Sequence, residues 1–137
     1  AGADITTVMA FSADKTITDT LEVARQAKKR VMIDLLGVTE QKRLEQLHKL
    51  GVDLVSLHVG KDMQAEGEFH TDLFALIEDF PQFEVAVAGG ISLDSLPLIL
   101  PKNPTTIIVG SSITKSENRY EVAVQMKGLI KQYESNH

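Results

Sequence analysis

The chain has 137 residues, 43% of them hydrophobic and 24% charged, with a formal net charge of −5 and no cysteine. That length and balance describe one globular domain. The acidity argues against a nucleic-acid surface, the lack of a long apolar run against a membrane span, and the missing thiols against disulfides, thiolate metal sites and a cysteine nucleophile.

In chain order the pattern is strand then helix, five times over. Strands are predicted at Ile5–Phe11, Arg30–Leu35, Leu54–Val59, Glu84–Ala88 and Thr105–Val109. They are rich in Val, Ile and Leu and nearly continuous in apolar character, as strands covered on both faces should be. The intervening segments carry apolar residues at spacings of three and four, one buried face each. Ile17, Leu21, Ala24 and Ala27 form the first stripe, Leu44, Leu47 and Leu50 the second, and Leu73, Phe74, Ile77 and Phe80 the third. Asp94–Leu100 reads as a short helix, and Val122, Met126, Leu129, Ile130 and Tyr133 mark the last one. Thr39, Ser92 and Ser116 are candidate N-caps, and Lys28, Lys29 and Arg30 suit the negative end of the first helix.

Alternating strands and helices predict a parallel α/β sheet with right-handed crossovers. The units recur roughly every 20–30 residues, and eight of them make a (β/α)8 TIM barrel of roughly 200–250 residues. Five do not close one, so the chain reads as strands four to eight of such a barrel domain. A complete five-stranded sheet of the flavodoxin type is the alternative. The opening Ala1-Gly2-Ala3-Asp4 echoes Leu50-Gly51-Val52-Asp53, where Gly51 follows a helix and takes the left-handed position that ends it. By that analogy Gly2 would end a helix ahead of Ala1, and residues 1–137 would be the C-terminal part of a larger domain. No secretory signal is visible, and a cytoplasmic location is expected.

The last two predicted strands both stop at glycine, at Gly89-Gly90 and at Gly110-Ser111, each before a helical segment. Glycine lets backbone N–H groups approach an anion closely. Two such turns on neighbouring parallel strands form a phosphate cup, as after the last two strands of many (β/α)8 barrels. Gly89, Gly90, Gly110 and Ser111 are therefore candidate ligands of a phosphorylated small molecule; the alternative is tight-turn chemistry with no ligand.

Asp34 ends the second strand, where a carboxylate inside an apolar run is costly unless it is paired. It is a candidate catalytic group, or else a carboxylate satisfied by loop N–H groups. His58 ends the third strand and could transfer protons near neutral pH, or else be a core histidine bonded to backbone. The long polar loop of residues 59–70 could close over substrate, with Lys61 meeting a phosphate or sugar oxygen. His48, His70 and His137 read as solvated, and Thr6 and Thr7 as strand formers. No metal-ligating cluster is spaced within the chain.

At these residues the chain resembles the 3-hexulose-6-phosphate synthases of the orotidine-5′-monophosphate decarboxylase suprafamily. The matching pieces are Ala1-Gly2-Ala3-Asp4, Ile33-Asp34, the stretch from His58-Val59-Gly60-Lys61-Asp62 to Gly67, Ala86-Val87-Ala88-Gly89-Gly90-Ile91, and Val109-Gly110-Ser111-Ser112-Ile113-Thr114. The resemblance implies a (β/α)8 barrel, a homodimer, and condensation of formaldehyde with D-ribulose 5-phosphate through an enediolate stabilised by Mg2+. The metal ligands and the Asp-x-Lys-x-x-Asp motif of these enzymes fall ahead of this chain. Asp34 would pair with that lysine, His58 would donate or accept a proton, and the four glycine-turn residues would hold the phosphate. The related 3-keto-L-gulonate-6-phosphate decarboxylases usually have arginine where Ser111 stands and tend to have Glu in place of Asp34. Both differences favour the synthase, while the basic Lys61 leans toward the decarboxylase. An inert fragment or a phosphosugar-binding module is a further alternative for the chain alone.

Overall fold

The structure is a computed structural model that describes residues 1–58 and 71–137. It contains β1 (Ile5–Met9), α1 (Asp14–Gln26), β2 (Arg30–Asp34), α2 (Gln41–Lys49), β3 (Leu54–His58), α3 (Thr71–Glu78) and β4 (Glu84–Ala88). These are followed by α4 (Leu96–Ile99), a 3-10 turn (Leu100–Lys102), β5 (Thr106–Ile107), α5 (Ser111–Thr114) and α6 (Arg119–Asn136). The strands form one sheet in the order β1-β2-β3-β4-β5. Each strand lies beside the previous one, as in a (β/α)8 wall; the flavodoxin alternative would place the second strand outside the first. The chain divides into two compact units, one of Ala1–His58 with residues 71–86, the other Val87–His137.

In the first unit β1 and β2 run parallel with Ile5 opposite Arg30 and Met9 opposite Asp34, and β2 and β3 run parallel with Met32 opposite Leu54. Val31, Ile33, Val55 and Leu57 are buried, as are Ile17, Leu21, Leu44 and Leu47 on the inner faces of α1 and α2. Ala27 lies past the end of α1 and is exposed, so the first stripe stops at Ala24.

The two helix ends use the same device. After α2, Gly51 has φ +96, its N–H donates to the His48 carbonyl and the Val52 N–H to the Leu47 carbonyl. After α1, Lys28 has φ +56, its N–H donates to the Arg25 carbonyl and the Lys29 N–H to that of Ala24. Both are Schellman closures, but the second holds a lysine in the conformation glycine adopts most cheaply. Lys28, Lys29 and Arg30 are thus not on the helix end. Lys29 pairs with Asp4 at 2.7 Å, and Arg30 opens β2. There Arg30 bridges Glu84 at 2.6 Å and Asp53 at 3.3 Å. The hydrogen bond it donates to Glu84, with both carboxylates' charge, raises its pKa against a smaller effect of burial.

The predicted cap at Thr39 is wrong: Glu40 occupies that position of α2 with no side-chain hydrogen bond. Ser116 does not cap α6 either. Asn118 does, accepting the Glu121 N–H at 3.1 Å while its amide donates to the Glu121 carboxylate at 3.0 Å, a variant of the capping box.

In the second unit β5 pairs with the end of β4, the Ile108 N–H donating to the Val87 carbonyl at 2.8 Å. β5 is shorter than the predicted Thr105–Val109. Ser92 is not the N-cap of α4 either: Ser95 takes that position with no side-chain cap hydrogen bond. Ser92 instead closes the turn ahead of the helix, the Ser95 N–H donating to its Oγ at 3.2 Å and the Ser92 N–H to Ser95 Oγ at 2.8 Å. Leu96, Ile99 and Met126 are its buried centre, while Val122 and Tyr133 are only half-buried.

Candidate functional site

Parallel α/β sheets present reactive groups at the carboxyl ends of their strands. In the first unit these ends are Asp34 on β2 and His58 on β3. Asp34 stands opposite Ser56 in the register, and His58 lies two residues beyond Ser56. Side chains alternate along a strand, so Asp34, Ser56 and His58 project from one face. Ser56 is buried, Asp34 half-buried and His58 exposed. His58 is thus the outermost of the three in this chain.

Asp34 is held from three directions. Its Oδ1 accepts the Leu36 N–H at 2.9 Å, its carbonyl accepts the Ala10 N–H at 2.8 Å, and the next N–H, of Leu35, donates to the Ser56 carbonyl at 2.9 Å. Part of the expected satisfaction by loop N–H groups is therefore present, through one carboxylate oxygen. The Ala10 carbonyl in turn accepts Arg43 Nε at 3.0 Å and Nη2 at 2.8 Å. The same guanidinium reaches the Ser12 carbonyl at 3.2 Å and Asp14 Oδ1 at 2.6 Å. Sequence reading missed Arg43: apart from Gln46 at 3.2 Å, its partners Ala10, Ser12 and Asp14 lie some thirty residues away and leave no local pattern. It also missed Ser56, which period-two counting back from His58 could have found.

The second unit carries the glycine turns. β4 ends at Ala88, and Gly89 and Gly90 follow with φ +84 and +70. Two successive left-handed residues favour glycine strongly. Gly110 is the N-cap of α5 with φ −119 and ψ −96, and among the described residues a Cβ built on it meets no atom within 4 Å. Ser111 begins α5 and is half-buried. Because α5 is a single turn, its dipole contributes little, and anion binding here would rest on the turns themselves. Ser112 Oγ donates to the Ile91 carbonyl, linking the two turns. Sequence reading placed Ser112 within a matching stretch and gave it no role.

Lys61 and the rest of the polar loop, with His70, lie outside the described residues. Thr6 and Thr7 are on β1, as expected of strand formers. His48 and His137 are exposed. His48 sits edge-on to Phe83 at 6.0 Å, and His137 stacks on Tyr133 at 4.1 Å. Among the described residues no three His, Asp or Glu side chains group as a metal site. They do not themselves fit the Mg2+ that the resemblance implies. No helix among them is long and apolar enough to cross a membrane.

Residues 1–126 match the sequence model of the orotidine 5′-phosphate decarboxylase / HUMPS family. The 3-hexulose-6-phosphate synthase of Bacillus subtilis (strain 168) is 38% identical over 134 residues, covering 96% of this chain and 64% of the relative. The crystal structure of 3-hexulose-6-phosphate synthase from Salmonella typhimurium superposes with a TM-score of 0.87 at 30% identity, over 96% of this chain and 64% of that one. A crystal structure of KGPDC from Streptococcus mutans superposes with a TM-score of 0.82 at 27% identity, over 96% and 63%. The chain thus spans less than two thirds of the length of the curated relatives it matches.

Proposed function

The chain belongs to the orotidine 5′-phosphate decarboxylase / HUMPS family, and on that premise we propose that the complete protein is a 3-hexulose-6-phosphate synthase. It joins formaldehyde to D-ribulose 5-phosphate, giving a 3-hexulose 6-phosphate. The observation that carries the reading is the placement of Asp34 and His58. They end adjacent parallel strands on one face, with His58 exposed.

In this reading a proton leaves the carbon beside the substrate ketone, and the resulting enediolate carbon attacks the formaldehyde carbon. The new C–C bond forms as the formaldehyde oxygen takes up a proton. His58 donates or accepts protons at these atoms, within the pH range where imidazole does both. Asp34, oriented through Leu36 and the Ala10 and Ser56 peptides, supplies a fixed carboxylate to a neighbouring cation or proton. Gly89, Gly90, Gly110 and Ser111 bind the phosphate through backbone groups that only small residues let an anion reach. Mg2+ and a homodimeric assembly belong to the same proposal. When bound, the metal would stabilise the developing negative charge, with ligands not found among the described residues.

The test is formaldehyde consumption that depends on ribulose 5-phosphate. Release of CO2 from 3-keto-L-gulonate 6-phosphate, with no formaldehyde reaction, would assign the protein to the decarboxylase instead. Absence of both, with retained binding of ribulose 5-phosphate, would leave a phosphosugar-binding module.

A further inference from the structure

We infer that Ser112 is a positioning residue that sets the spacing between the two glycine turns and thereby the affinity for the phosphate group. The inference rests on the phosphate role proposed above for those turns. Ser112 follows Gly110-Ser111, and its acceptor, the Ile91 carbonyl, follows Gly89-Gly90. The hydrogen bond from Ser112 Oγ therefore joins the residues immediately beyond both turns. The β4–β5 ladder holds the strands at Ile108 and Val87; the serine extends that hold past the strand ends, to where an anion would sit.

The anchor on the β4 side is rigid. Ile91 is 2% exposed. The next residue, Ser92, is locked to Ser95 by the reciprocal N–H to Oγ pair, at 2.8 and 3.2 Å, and Ser95 is itself buried. On the β5 side, Ser112 lies inside a helical turn in which the Ile113 and Thr114 N–H groups donate to the Gly110 carbonyl. A short side chain between two fixed backbones leaves little play, and backbone donors bind an anion well only at the right separation.

The same hydrogen bond decides between two roles for Ser112. A hydroxyl has one proton to donate. Here it goes to the Ile91 carbonyl, so Ser112 does not donate to a phosphate oxygen at the same time. It acts through the turns and not on the ligand, unlike Ser111.

The experiment compares Ser112→Ala, Ser112→Thr and Gly110→Val in the complete protein. The readouts are KM and kcat for ribulose 5-phosphate and the inhibition constant of inorganic phosphate. Ser112→Ala should raise KM and the phosphate inhibition constant together, by about three- to tenfold, the effect of one neutral hydrogen bond. kcat should stay within about twofold, because the bond is the same in ground and transition states. Ser112→Thr keeps the hydroxyl and should restore both constants. The inference is overturned if Ser112→Ala folds and leaves both constants unchanged while Gly110→Val raises them; the phosphate reading then survives without the clamp. It is also overturned if Ser112→Thr behaves as Ser112→Ala does. If Gly110→Val too leaves both constants unchanged, the phosphate assignment falls and takes the clamp with it. Should Ser112→Ala not fold, Ser112→Cys, a weak donor of similar shape, must give intermediate constants for the inference to stand.

Discussion

Arg43 on α2 grips the carbonyl of Ala10, thirty-three residues earlier, with Nε and Nη2 at 3.0 and 2.8 Å. One planar guanidinium thus closes the loop after β1, and its fork fits two donors onto one acceptor. Arg43→Ala should destabilise the complete protein by about 2 kcal/mol, because hydrogen bonds from a charged donor are lost and a part-buried carbonyl is left short of a partner. Arg43→Lys should recover little, since an ammonium cannot reach Ala10, Ser12 and Asp14 together. Urea midpoints of the two variants measure this; a lysine variant as stable as wild type would mean that charge alone matters.

Lys28 sits at φ +56, where a side chain is strained. Lys28→Gly should stabilise by about 0.5–1 kcal/mol, the relief exceeding glycine's extra freedom in the unfolded chain. Lys28→Ala should give no such gain. A lower denaturation midpoint for the glycine variant would show that the lysine makes a compensating contact.

His58→Ala should fold normally, because the side chain is exposed, and should lower kcat by about 10²–10⁴-fold with KM for ribulose 5-phosphate near wild type. A folded variant with wild-type kcat would make His58 a bystander.

Gly110→Val should also fold, since among the described residues nothing lies within 4 Å of a Cβ at that position. It should raise KM for the phosphosugar by about tenfold or more, because the valine occupies space that the anion needs. Unchanged KM in the folded variant would count against the phosphate assignment.

The strand starts of the first unit are legible in the sequence, bounded by polar or turn residues at Asp4, Lys29 and Asp53. Their ends are overread: β1 stops at Met9 where the sequence predicts Phe11, and β2 at Asp34 where it predicts Leu35. The first three residues of β1 are exposed in this chain, against the expectation of strands covered on both faces. β5 is overread because Ile108 and Val109 continue the apolar run although the regular strand ends at Ile107; beyond it the Ile108 N–H still donates to the Val87 carbonyl. Helix ends are harder to read. Thr39 has the right chemistry for a cap but stands one residue too early, and Asn118 with Glu121 has the spacing of a capping box, which Ser116 obscures. At the site, strand-end position alone marks Asp34 and His58, since local pattern sets where a strand stops. What supports Asp34 from a distance, and what joins the two glycine turns, is not legible. Arg43 to Ala10 and Ser112 to Ile91 are contacts between distant segments, and no periodicity encodes them.

Arg30 opens β2, Asp53 immediately precedes β3, and Glu84 opens β4, so one cation joins the amino ends of three neighbouring strands. Beside it Lys29 ties Asp4 ahead of β1. These pairs are exposed, and each contributes modestly to stability, but together they give every one of these strands a fixed starting point. Asp34 and His58 sit at the opposite ends. A sheet aligned from its starting edge can exchange the residues at its finishing edge without losing alignment. Asp34 and His58 thus stand apart from the ion pairs that align their strands.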